Sequence, residues 1–278
     1  MCIRDSFDVT HGTDEANTEY FNAGMDSTIL QGAQLSGGSR AVELGLITLK
    51  GTKSLANVMF ILGLFTAAGI LYTSYLNTGS TFNAYYAAII ALIGVLVGYF
   101  YTAKPIRLSS RYGLGELSIF LSFGPLLTLG TGFAIANETI QLFSNEFYNL
   151  ILLGIPIGLL TTNILFINQY PDYASDKKVG KNHLVVLFGK KSSRWIYALN
   201  LAIAVGSLYY IAENILNQTQ GSLFFYLLIP VTMIYSYYLI AGLFKHYNSR
   251  SLIKYNIHTI YFHMLFSFIY MIILANFQ

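Results

Sequence analysis

Residues 147–167 read FYNLILLGIPIGLLTTNILFI, and residues 168–181 continue NQYPDYASDKKVGK. The first segment holds no Asp, Glu, Lys, Arg or His, over a length close to the roughly 20 apolar residues that cross a bilayer. The second turns abruptly polar and gathers Asp172, Asp176, Lys177, Lys178 and Lys181. An uninterrupted apolar run ending in a charged cluster is the pattern of a membrane helix meeting the aqueous surface.

Working outward, six more runs read the same way: 55–76, 84–101, 114–136, 195–212, 222–244 and 256–277. Only 10% of the 278 residues are charged and 54% are hydrophobic, against about 25% charged for a soluble domain. With a mean hydropathy of +0.53, this excludes an ordinary water-soluble enzyme, a disordered chain and a fibrous protein. Barrel strands would be short and alternating, whereas these runs are long and continuous. The expectation is an all-α, polytopic transmembrane helical bundle of seven spans, forming one membrane domain over residues 1–278. The first fifty-four residues show no signal-peptide pattern. Cys2 is the single cysteine, which leaves no disulfide framework and no thiolate metal site.

The charges orient the chain. All 16 Lys and Arg fall before residue 54 or within 104–111, 177–194 and 245–254. The intervening loops 77–83, 137–146 and 213–221 hold only Glu138, Glu146 and Glu213. By the positive-inside rule the basic segments face the cytoplasm. The expected location is the cell inner (plasma) membrane, multi-pass, with the lipid bilayer and no nucleic acid as the macroscopic partner.

Most of the acids on the basic side form two clusters. The first spans Asp5, Asp8, Asp14 and Glu15; the second sets Asn168, Asp172 and Asp176 four residues apart. If locally helical, Asp5 with Asp8, and Asn168 with Asp172 and Asp176, each lie on one face, with Cβ atoms about 5–6 Å apart. Oxygen ligands without clustered Cys or His suit Mg²⁺, which takes one or two carboxylates plus phosphate oxygens. The neighbouring lysines, Lys177 and Lys181 among them, are placed to hold the remaining phosphate charge. Paired Asp clusters, Mg²⁺ and lysines are what a diphosphate leaving group requires. An Asp- and Lys-rich loop can equally be just a solvated, topogenic segment. Pro171, just before Asp172, is tolerable only at a helix's first turn or a kink.

These residues carry a resemblance. Asn168, Asp172, Asp176 and the Gly180-Lys181 pair resemble the second aspartate motif of the UbiA superfamily of intramembrane aromatic prenyltransferases. The run from Phe7 and Asp8 through Gly12 to Asp14 looks like the tail of its first motif. Ser36 to Arg40, the stretch Tyr101 to Glu116, and Phe123 to Leu126 are similar to the menaquinone branch, which prenylates 1,4-dihydroxy-2-naphthoate. The resemblance covers residues 7 to 278. It implies nine helices around a cavity, with Mg²⁺ bridging both motifs to the diphosphate of a polyprenyl donor. Asp8, Asp172 and Asp176 would be catalytic, and together with Asp14 they would be metal ligands. Asn168, Lys181 and Arg40 would contact substrate. Seven spans are two fewer than nine, and Met1 to Ser6 reads as foreign to the family. The expectation is therefore a junction at residues 1–6, two upstream helices missing, and Asp5 matching by chance.

Further features admit two readings each. Lys104, Arg107 and Arg111 either line a path for a donor or acceptor anion or act only as orientation signals. Glu116 is either a site carboxylate or a cap for its own helix. His258 and His263, five apart, do not share a helical face, so a shared metal is not expected. Gly94–Gly98 and Gly154–Gly158 are small-xxx-small pairs suited to helix packing. Twenty-two Tyr and twenty Phe suit either a carbocation-shielding cavity or interfacial belts and core. The favoured activity is Mg²⁺-dependent transfer of a polyprenyl group from its diphosphate to an aromatic acceptor, foremost 1,4-dihydroxy-2-naphthoate. Alternatives are 4-hydroxybenzoate, a tocopherol-type head group or a glycerol phosphate lipid as acceptor, or a secondary transporter. A transporter would place ionisable residues near the midplane at broken helices, and the span interiors lack Lys, Arg, Asp and Glu.

Overall fold

The structure, a computed structural model, describes residue 42, residues 45–216 and residues 220–276. Its helices are α1 (Leu49–Thr78), α2 (Thr81–Phe100), α3 (Leu114–Phe123), α4 (Pro125–Ile135), α5 (Asn145–Asn168), α6 (Tyr173–Lys178), α7 (Leu184–Asn214), α8 (Gln220–His246) and α9 (Leu252–Asn276). Taken with α3 and α4 as one, seven segments among the described residues are long and apolar enough to cross a membrane. The all-α, seven-span expectation holds, and the chain is a multi-pass membrane protein.

Local sequence sets the boundaries. Thr48 caps α1 by accepting a hydrogen bond from Gly51 N at 3.0 Å. At its other end Gly79 takes a left-handed φ of 61°, and Ser80 accepts from Phe82 N to start α2. A Gly stop followed by a Ser start makes a two-residue helical hairpin, each cap worth about 1 kcal/mol. Gly124 and Pro125 divide α3 from α4, with Pro in the first helical position, where its missing N–H costs nothing. Hydropathy places the α7 span from residue 195, but the helix begins at Leu184. Lys190, Lys191 and Arg194 depress the hydropathy of those early turns while their long stems let the helix continue toward water. Gly189, at φ 75° and ψ 155°, kinks α7.

The chain forms two compact units whose segments alternate along the sequence. The first comprises the described residues up to Ser118 together with Gly130–Ile140 and Pro171–Leu187. In it α1 packs on α2. Ser74 donates to the Phe133 carbonyl at 3.1 Å, and Tyr86 stacks on Phe133 at 5.6 Å. Fully buried Asn83 donates to the Glu138 carbonyl at 2.9 Å and accepts from Ile140 N at 3.1 Å. This satisfies the irregular stretch after α4, whose backbone groups have no helical partners.

The second unit comprises Ile119–Leu129, Gln141–Tyr170 and residues from Phe188 onward. There α9 packs against both α8 and α5. A ladder of Tyr235, Phe262, Phe266 and Tyr270 runs between α8 and α9, with stacked pairs at 4.8 and 5.5 Å. These rings are helix-interface core. Fully buried Asn163 on α5 donates to the Tyr197 carbonyl at 3.1 Å and accepts from Asn200 Nδ2 at 2.8 Å, tying α5 to α7. Gly154 and Gly158 do serve packing: with Gly124 they bring two backbones together. Beside Gly94 and Gly98, among the described residues, no atom comes within 4 Å of where a Cβ would stand. Two glycines four apart permit a close approach, but a neighbouring backbone has to take it.

Candidate functional site

The acidic cluster that follows α5 does not continue that helix. Residues Gln169–Asp172 form a turn, and Pro171 sits in it. The expectation that Asn168, Asp172 and Asp176 share one helical face is corrected on this point: Asn168 closes α5, while Asp172 precedes α6. Pro171 has no N–H with which to continue the α5 ladder, and the chain turns at it, whereas α5 and α8 run through Pro156 and Pro230.

In the first unit, Asp176 N donates to the Asp172 carbonyl at 2.8 Å, so these two aspartates share the single turn of α6. Gly180 then takes a left-handed φ of 75°. Gly180 N donates to the Lys177 carbonyl and Lys181 N to the Asp176 carbonyl, at 3.3 and 2.9 Å. This is the paired closure of a helix that needs glycine at its left-handed position. It folds Lys181 back so that its Nζ reaches Asp176 Oδ1 at 3.1 Å. The other oxygen, Oδ2, lies 3.1 Å from His183 Nε2. Burial pushes the Asp176 carboxyl up, but the His183 hydrogen bond and the Lys181 charge outweigh it and hold the group below the usual carboxylate range. A carboxylate accepts about four hydrogen bonds or ligands, so each Asp176 oxygen keeps a lone pair. An oxygen donor set of this kind fits a hard divalent cation.

The basic loop after α2 belongs to the same unit. Arg111 and Asn182 form an isolated parallel bridge. Tyr112 N donates to the Asn182 carbonyl at 2.8 Å, and Asn182 N donates to the Ser110 carbonyl at 3.1 Å. Arg107 and Tyr112 hold positive φ values of 46° and 42°; such strain persists only where surrounding bonds fix it. Buried Glu116 accepts from Leu184 N at 2.9 Å. Its carboxylate thus serves the start of α7 from the first turn of α3, a role that neither sequence reading of Glu116 included. Glu116→Ala is expected to cost about 1–3 kcal/mol and lower the thermal midpoint in detergent by several degrees. Glu116→Gln, which keeps the acceptor oxygen, should recover most of that.

In the second unit, Asn168 Oδ1 accepts from Asn256 Nδ2 at 3.0 Å, and Asn256 is buried on the first turns of α9. Tyr170 is fully buried; its hydroxyl pairs with Ser193 Oγ at 2.9 Å, and burial pushes it up to about 12. His258 pairs with Tyr235 and His263 with Thr161, so the two histidines take separate partners, as their spacing requires.

Of the residues singled out from the sequence, Asp176 and Lys181 come together directly. Lys177 is exposed and lies over the Tyr173 ring at 5.8 Å. Exposed Arg111 turns its guanidinium onto the Pro105 carbonyl at 2.7 Å, and Lys104 is exposed. Asp8, Asp14 and Arg40 lie outside the described residues. Among the described residues no group of three or more His, Cys, Asp or Glu is gathered as a metal cluster. His183 and Asn256 escaped the sequence reading. The signals were there: a histidine two residues past the Gly-Lys pair, and a carboxamide in an otherwise apolar span.

Residues 39–269 match the profile of the UbiA prenyltransferase family, across segments of both units. A 1,4-dihydroxy-2-naphthoate octaprenyltransferase from Bacillus subtilis is 31% identical over 122 residues, 44% of this chain and 37% of that protein. A 2-carboxy-1,4-naphthoquinone phytyltransferase from Synechocystis is 30% identical over 168 residues, 60% of this chain and 49% of that protein. The chain thus spans less than half the length of these two relatives. The solved structure of a UbiA homolog from Archaeoglobus fulgidus shares the fold, with a TM-score of 0.51, 18% identity, and coverage of 96% of this chain and 94% of that one.

Proposed function

Because the chain belongs to the UbiA prenyltransferase family, we propose that it transfers a polyprenyl group from a polyprenyl diphosphate to 1,4-dihydroxy-2-naphthoate, in menaquinone biosynthesis. The observation that carries this is the buried Asp176 carboxylate, kept ionised by Lys181 and His183. It stands in a motif with lysine and asparagine neighbours suited to a diphosphate. The names of the relatives support the naphthoate acceptor.

On this reading Asp172 and Asp176, with Asp8 and Asp14 of the first motif, hold Mg²⁺. When bound, the ion neutralises charge on the departing diphosphate. Lys181 has a long, flexible stem that allows its ammonium to move from Asp176 to a phosphate oxygen. Asn168 completes the donor contacts, and Arg40, Lys104, Arg107, Arg111 and Lys177 supply cationic contacts to the donor or the acceptor carboxylate. As the allylic C–O bond breaks, the electron pair leaves with the diphosphate. The ring carbon bearing the acceptor carboxylate forms the new C–C bond, and carbon dioxide departs. On this reading the basic loops face the cytoplasm at the inner-membrane surface, where the diphosphate of a membrane-held donor and an anionic acceptor meet.

The test uses membranes carrying the full-length gene product, labelled polyprenyl diphosphate, Mg²⁺ and a panel of aromatic acceptors. Prenylated product with the naphthoate is expected. Product only with 4-hydroxybenzoate would reassign the acceptor, and no product with any acceptor would remove the enzyme reading.

A further inference from the structure

We propose that His183 is a positioning residue that holds the Asp176 carboxylate in place while Lys181 is free to leave it. The inference rests on the reading of Asp176 as a donor-site carboxylate. Its footing is the divided use of one imidazole ring. Val186 N donates to His183 Nδ1 at 3.3 Å, which makes Nδ1 an acceptor without a proton. The ring proton then sits on Nε2, the atom 3.1 Å from Asp176 Oδ2. The backbone of α7 thus sets the tautomer, and the tautomer makes His183 a donor to the carboxylate.

The residues flanking His183 leave it little freedom. Asn182 is bonded through both its N–H and its carbonyl to the 110–112 segment. Leu184 N is held by Glu116. The ring itself is 2% exposed. Lys181 contacts the same carboxylate from the end of a four-carbon stem, with 15% of its side chain exposed. One partner is rigid and the other can exchange. A carboxylate that must keep its place as phosphate arrives needs both kinds.

The two ring nitrogens can be separated by substitution. His183 precedes Leu184, the first residue of α7, and bonds the third N–H of that helix, so it is an N-cap. Asn and Ser are among the best N-caps, yet neither reaches Asp176. His183→Asn and His183→Ser therefore keep the cap and delete the carboxylate contact. His183→Gln extends an amide N–H to about the position of Nε2.

The full-length protein in detergent is titrated with a non-hydrolysable polyprenyl thiodiphosphate at graded Mg²⁺, alongside kinetics and thermal unfolding. Loss of a partner behind a metal ligand weakens metal affinity about 10–100-fold. The Asn and Ser variants are expected to need that much more Mg²⁺ for half-maximal donor binding. Their acceptor KM should be unchanged and their melting midpoint within about 2 °C of wild type, and Gln should restore donor binding. Wild-type Mg²⁺ dependence in either folded deletion variant overturns the proposal, as does a Gln variant no better than Asn. Two deletions cover the case in which one fails to insert. Asp176→Asn separates the two levels of inference. If it too binds donor normally, the donor-site reading of Asp176 falls; if it fails while His183→Asn is normal, only the positioning role falls.

Discussion

Asp176→Asn and Asp172→Ala are each expected to lower prenyl transfer by at least about 10²-fold, the scale for removing one group that stabilises developing charge. Both proteins should still insert, because neither residue lies in a membrane-crossing segment. Asparagine is the informative replacement at 176. It keeps the size of the side chain and an oxygen for one of Lys181 and His183, while removing the negative charge and the second acceptor. Alanine would also strand the buried His183 donor, at a cost of about 1–3 kcal/mol. Turnover per inserted molecule, measured with labelled donor in membranes, decides the matter. Near-normal turnover in both variants would show that the second cluster is not the metal site.

The second large effect concerns stability. A Cβ added at Gly154 would lie 2.6 Å from Thr128 Oγ1 and 2.7 Å from the Gly124 carbonyl oxygen. At Gly158 it would meet the Phe120 carbonyl oxygen at 2.6 Å, and at Gly124 the Gly158 Cα at 2.9 Å. Most of these neighbours are backbone atoms and cannot step aside. The one side chain, Thr128, is committed to the Leu150 carbonyl at 2.7 Å. Alanine at any of the three glycines is expected to cost about 1–3 kcal/mol by overpacking, a fall of several degrees in the unfolding midpoint. Gly94→Ala and Gly98→Ala, with open space beside them, should be neutral or raise it, since alanine is the better helix former by up to about 1 kcal/mol. Thermal unfolding of the purified variants in one detergent compares both groups. Equal losses at all five positions would refute the close approach.

That contrast also marks how far the sequence could be read. The spans were legible because burial in lipid demands long apolar runs, and no other fold tolerates seven of them. Their ends were less so: hydropathy discards charged turns such as those around Lys190 and Arg194, although the helix includes them. Gly94–Gly98 and Gly154–Gly158 are alike as strings, and only the neighbour distinguishes them. At the site, the chemistry of Asp176 and Lys181 was visible from residue type and spacing. Pro171 marks a break or kink by its ring, but nothing local in the sequence says where the chain goes after it. His183 was hidden because its role depends on Asn182 and Leu184 being anchored by residues some 70 positions earlier, a separation that local patterns do not carry.

Asn163 has a consequence for how the protein is made. Its carboxamide lies within α5, yet both of its partners, Tyr197 and Asn200, belong to α7 and are 34 and 37 residues further along. At about 5–20 residues per second, the ribosome delivers them roughly 2–7 s after Asn163 itself. For that interval α5 carries a polar group with no native partner, which hydrocarbon penalises. The segment therefore has reason to wait at the insertion machinery until α7 emerges, so that the two helices enter the bilayer as a pair.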